Sequence, residues 1–128
     1  MLRNKLEAEA VLGIIGYCDA GTLTLVSSEA LVYEMEQNVL STRKEHAQAV
    51  LAKATIVVTV EPAVEQRTAT FVKRGIKAMD AVHVALAEAA RVDYFCSCDD
   101  RLLRKLKRMK DVQLKPLSPL ELIEEVDK

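Results

Sequence analysis

Apolar residues recur at helical spacing across KLEAEAVLGIIGYCDA, residues 5–20, where Leu6, Ala10, Val11, Ile14, Ile15 and Cys18 fall on one face and Gly21 supplies a stop. The spacing predicts a first helix there. TLTLV, 22–26, is short and β-prone and runs into Ser27 and Ser28, whose hydroxyls suit the N-cap of a helix through SSEALVYEMEQ. A further helix over 41–53, capped by Ser41 or Thr42, precedes ATIVVTV, a β-branched run that reads as a buried strand. Glu61 and Pro62 open the next helix, because proline is at home in a first turn, and it ends near Gly75.

Another helix starts around Lys77, with Met79, Val82, Leu86 and Ala89 or Ala90 at helical spacing. The period then changes. VDYFCSC, 92–98, reads as a third strand, RLLRKLKRMK as a basic amphipathic helix, DVQLKPL as a fourth strand and the segment after Pro119 as a last short helix. Strands alternating with helices predict a parallel sheet covered on both faces, in one α/β domain over residues 1–128 without linker or repeat.

Composition narrows the classes. Half of the 128 residues are hydrophobic, enough to bury a core without disulfides. A net charge of −1 argues against coating nucleic acid or an anionic membrane through bulk charge and leaves room only for a local basic patch. Cys18, Cys96 and Cys98 form an odd set without CxxC spacing, so neither a disulfide framework nor a zinc site is expected; Cys96 and Cys98 share a strand face and read as small core residues. The opening MLRNKLEAEA lacks the apolar core of a signal peptide, and no apolar run reaches about 18 residues, so a soluble, cytoplasmic protein with no membrane contact is expected. With three tyrosines, two phenylalanines and no tryptophan, a base-stacking platform has little support; Tyr33 and Tyr94 read as packing residues.

The chemistry lies in the acids. In open α/β sheets the working site lies beyond the carboxyl ends of the strands. Asp99 directly follows the VDYFCSC strand, and Asp80 occupies the first turn of the helix before it. That helix runs antiparallel to the strand, so its start lies near the strand's end and the two acids become neighbours. Glu34, in the second turn of its helix, has a side chain long enough to reach the same rim. Clustered carboxylates repel unless a cation compensates, and hard ions such as Mg²⁺ or Mn²⁺ prefer oxygen donors. Such an ion suits phosphodiester hydrolysis without a covalent intermediate. The plainer alternative stands beside this: Asp80 complements a helix N-terminus, and Asp99 is the N-cap of the helix beginning at Arg101.

GIKAMDAVHVALAEAARVDYFCSCDDRLLRK, 75–105, together with LVSSEALVYEMEQN, 25–38, resembles the PIN domain family, especially its small prokaryotic VapC-like members. The elements of the likeness are a serine-started helix carrying an acid (Ser28 to Glu34), a GIKxxDAxHxA helix with Asp80, and an apolar strand ending in S-x-D at Asp99. The resemblance implies a three-layer α/β/α fold with a parallel sheet and an acidic cluster that binds Mg²⁺ or Mn²⁺ to cleave single-stranded RNA. It also implies a toxin whose partner is an antitoxin protein. Glu34, Asp80 and Asp99 then map to catalytic and metal-binding acids and Asp100 to an auxiliary ligand, with Ser28, His83 and Ser97 in supporting positions. His83, one turn after Asp80, is placed to orient that carboxylate.

Members of that family usually begin with a short hydrophobic strand ending in an acid, and this chain opens instead in the helix that should follow it. Asp19, Glu7 and Glu9 are unconvincing substitutes, since all lie on helix one rather than after a strand. A truncated start is expected, with homo-oligomerisation through the sheet edges left open. For RNA phosphates the candidates are Lys73, Arg74 and Lys77 near Asp80, and Arg101 and Arg104 on the polar face of the basic helix, whose ordinary role is a solvated surface. The alternative function is a degenerate PIN-like module that binds RNA or a protein and cuts nothing. A receiver-type domain fits less well, because no acid pair follows an early strand.

Overall fold

The computed structural model describes residues 2–37 and 41–128, with the side chains of 41–43 outside the description, so the expected cap at Ser41 or Thr42 lies beyond it. The described residues form a mixed α/β chain: α1 (Leu2–Asp19), β1 (Val26–Ser28), α2 (Glu29–Glu36), α3 (Ser41–Leu51), β2 (Ile56–Val58), α4 (Pro62–Lys73), α5 (Ala78–Ala89), β3 (Tyr94–Cys96), α6 (Asp100–Arg108), β4 (Lys115–Leu117) and α7 (Pro119–Asp127). Two compact units divide it, one of Thr24–Ala90 and one of the residues up to Leu23 together with Arg91–Lys128. Among the described residues no helix is long and apolar enough to cross a membrane.

In the Thr24–Ala90 unit, β1 and β2 pair in parallel, Val26 opposite Ile56 and Ser28 opposite Val58. Parallel strands need a crossover, and α2 and α3 lie in the connection. Pro62 stands in the first turn of α4, and Gly75, at φ +93°, ends the α4 region in a left-handed conformation that a side chain would strain. α4 packs on α5, and Phe71, Ala81, Val84, Ala85 and Leu86 are buried. The Arg67 guanidinium lies 4.3 Å from the centre of the Phe71 ring and grips Glu88 through two hydrogen bonds of 2.7 and 3.1 Å, bracing the two helices.

In the other unit β3 and β4 pair in parallel, Tyr94 opposite Lys115 and Cys96 opposite Leu117. Leu102, Leu103 and Leu106 of α6 are buried, as the amphipathic pattern predicts, and Met109 is half-buried. Ser118 and Glu121 close a capping box at the start of α7. α1 packs on α7 closely enough that a Cβ at Gly13 would meet Ile123 Cδ1 at 3.2 Å.

Several expectations change. The first strand is Val26–Ser28 rather than 22–26, because its ladder extends to the very residue that caps α2. ATIVVTV is not buried: Ile56 is 47% and Val57 61% exposed, since β2 is a three-residue strand in a sheet of two. On α1 only Ala10 of the predicted face is buried, while Leu6 and Val11 stay exposed. Cys96 and Cys98 are both exposed, because β3 stops at Cys96 and strand alternation no longer applies at 98. Tyr33 is exposed on α2 rather than packed.

Candidate functional site

Glu34 is positioned by a serine. Ser28 ends β1 with extended backbone and its Oγ accepts a hydrogen bond from Leu31 N at 3.1 Å, so α2 starts directly from the strand and carries Glu34 on its second turn. α2 and β1 both pack on α5, whose N-cap is Lys77 and whose first turn holds the half-buried Asp80. One turn further along α5, His83 Nε2 lies 3.1 Å from Glu34 Oε2. Thus His83, expected to serve Asp80, meets Glu34. The contact is off the alignment of a hydrogen bond, and both imidazole nitrogens are hidden from solvent without a hydrogen-bond partner. The buried Ser27 Oγ is likewise unpartnered.

In the other unit Asp99 is the N-cap of α6. Its Oδ1 accepts from Arg101 N at 3.0 Å and Leu102 N at 3.2 Å, while its own N–H donates to Ser97 Oγ at 3.0 Å. Ser97 therefore supports Asp99 directly. Both cap bonds end on one carboxylate oxygen, so the other remains able to take a ligand. Asp100 Oδ2 pairs with Arg3 Nη2 at 2.6 Å, and Arg3 Nε also holds Glu7 Oε1 at 2.9 Å. The Cys98 thiol, on an exposed residue, is raised above its ordinary value, first by partial desolvation of the sulfur and then by its contact with Glu7. Glu7, set aside in the sequence because it lies within helix one, is thereby linked through Arg3 to Asp100. Nothing local foretells this contact, because it joins residues more than ninety positions apart.

Lys73, Arg74 and Lys77 are exposed where α4 gives way to α5, and Arg101 and Arg104 are exposed along α6. An open cleft of about 380 Å³ lies along α6 and β4, lined by Leu106, Lys107, Val112, Pro116, Leu117 and Glu121; the candidate acids do not line it. Glu34 and His83 meet as a pair, and among the described residues no group of three or more His, Cys, Asp or Glu side chains is gathered as a metal site. Protein-family models, curated proteins and solved structures give no match to this chain.

Proposed function

We propose that the chain is a divalent-metal-dependent endoribonuclease of the PIN class, acting on single-stranded RNA within that family's three-layer α/β/α arrangement. The observation that carries this reading is the meeting of Glu34 with α5 at His83, which gathers two of the expected acids on neighbouring elements. Glu34 and Asp80 would be ligands of Mg²⁺ or Mn²⁺, and Asp99 and Asp100 are the further acids whose part in metal binding substitution tests. The ion would supply Lewis-acid polarisation of a phosphoryl oxygen and acidify a water for attack. Lys73, Arg74 and Lys77, next to Asp80 in the chain, would draw the RNA backbone by its phosphates, and the contact would weaken with salt. Self-association belongs to the same reading, and the exposed Ile56 and Val57 on β2 supply an apolar surface for it.

A second reading, a PIN-like module that binds without cutting, is favoured by the second pair of acids: Asp99 works as a helix cap, and Asp100 is neutralised by Arg3. A single-stranded RNA pool with Mn²⁺ separates the two. Cleavage lost on adding EDTA and in Asp80→Asn supports the nuclease. RNA retained without cleavage, under conditions where the chain is folded, sinks it in favour of the binding module.

A further inference from the structure

We propose that α1 is the contact face of a symmetric dimer, in which Leu12 packs on Leu12 of a second copy and the two helices run antiparallel. Self-association is thereby placed on α1 rather than on β2, and it holds or fails independently of the nuclease reading. Three observations carry it.

The first is the side of the helix left uncovered. Within its unit α1 packs on α7 through Gly13, whose Cβ would meet Ile123, and through Tyr17, whose hydroxyl donates to Asp127. Ala10 is the buried residue of that side. At about 100° per residue, Leu12 stands about 100 to 160° round the axis from these three. It is 63% exposed, and Val11 next to it is exposed as well. A surface helix ordinarily turns a polar face outward, so large apolar side chains on the outward side call for a cover.

The second is room. Ala8 and Gly16 stand one turn before and one turn after Leu12, both exposed, and a Cβ on Gly16 would meet nothing within 4 Å. Small residues on either side of a leucine leave recesses for the leucine of a facing helix, and they let two axes approach to the short end of the usual range of about 8 to 10 Å.

The third is charge, and it says what the cover is. Lys5 and Asp19 lie two turns before and two turns after Leu12, at equal spacing on the same stripe. A two-fold axis through Leu12 sets Lys5 of each copy against Asp19 of the other, and Ala8 against Gly16. The helix dipoles are then opposed, each N-terminus beside a C-terminus. A parallel pair would instead set Lys5 on Lys5 and Asp19 on Asp19. The stripe is thus complementary to itself, in one direction only.

Sedimentation velocity of the full chain over a concentration series reads the dimer without metal or RNA. One helix pair falls short of the about 1,200 Å² of a standard interface, so a reversible dimer forming on the order of 10 to 100 µM is expected. Leu12→Glu sets two like charges on the axis and is expected to weaken the dimer tenfold or more, with the fold kept because the side chain is largely exposed. Lys5→Glu and Asp19→Lys each oppose like charges across the pair, although each suits the helix end on which it sits, an acid at the N-terminus and a base at the C-terminus. Each alone is expected to weaken the dimer severalfold, more so at low salt, and the two together to restore it. Far-UV circular dichroism checks that helicity is kept throughout. A monomer at every concentration, a dimer untouched by Leu12→Glu, or no rescue in the double exchange overturns the assignment. A dimer lost in Val57→Lys and kept in Leu12→Glu hands the interface to β2 and overturns it as well. RNA cleavage scored on the same samples keeps the two readings apart: a dimer without cleavage upholds the pairing and sinks the nuclease, and cleavage by a monomer does the reverse.

Discussion

Asp99 carries a structural task and a proposed chemical one, and two substitutions separate them. Its Oδ1 takes the amide hydrogens of Arg101 and Leu102 at the start of α6. Asp99→Asn keeps an oxygen at that place, so it forfeits only the attraction between a carboxylate and the helix N-terminus, about 0.3 to 1 kcal/mol. Asp99→Ala loses the cap as well, a further loss on the order of 1 kcal/mol. Burial of Leu102, Leu103 and Leu106 holds the helix in either variant, so both are expected to fold. The expected order in urea unfolding is therefore wild type, then Asn close below it, then Ala. Metal binding should behave differently. If the second oxygen is a ligand, Asn and Ala lose the same charge, and Mn²⁺ affinity and RNA cleavage fall equally in both. Asn as destabilised as Ala would refute the account of the cap. Full Mn²⁺ binding and cleavage in both variants would remove Asp99 from the site and leave it a cap alone.

Glu88→Gln is expected to destabilise the chain by about 2 kcal/mol, because it leaves Arg67, only 25% exposed, without its anionic partner; a double-mutant cycle with Arg67→Met showing no coupling would contradict this. Glu125 is held down to about 2 by hydrogen bonds from Lys115 and Lys128, and Glu121 is lowered by the Ser118 backbone N–H and then by Lys107. Their contribution is complete above the ordinary carboxylate value of 4.5 and drains away as pH falls towards 2, so an acid titration of helicity should be flattened in that window by Glu125→Gln. Although Cys96 is an exposed residue, partial desolvation of its sulfur first and Cys98 second push the thiol up to about 11, so it should react slowly with a disulfide reagent at pH 8 and speed up as pH approaches 11, as mass spectrometry of the labelled chain would read.

What the sequence discloses here is what neighbours in the chain decide. Ser28, Pro62, Gly75 and Asp99 punctuate helices through contacts within a few residues, and each does in the structure what its type predicts. The inward leucines of α6 follow from a period that any solvent-facing helix imposes. The strands follow a different logic. ATIVVTV has the composition of a buried strand, but burial depends on what covers it, which no window of seven residues contains. The same holds for the acids: Asp80 on its first turn was legible, whereas the choice of Glu34 by His83, and of Asp100 by Arg3, is made across 49 and 97 positions by packing.

The outward turn of Ile56 and Val57 has a consequence for how the chain survives in a crowded solution. Residues 54–60 contain no charge and no proline, the composition of segments that stack into fibrils, and β2 has a ladder partner on one side only among the described residues. One local guard is visible: Glu29 Oε2 accepts the N–H of Val60, so an acid closes the far end of the run. Natural strands of this kind are flanked by residues that make addition of a foreign strand unfavourable, and here Lys53 precedes the run and Glu61 and Pro62 follow it, with the Glu29 carboxylate added from α2. Losing these flanking guards together would open the run to growth by templated addition, with turbidity that rises steeply with protein concentration.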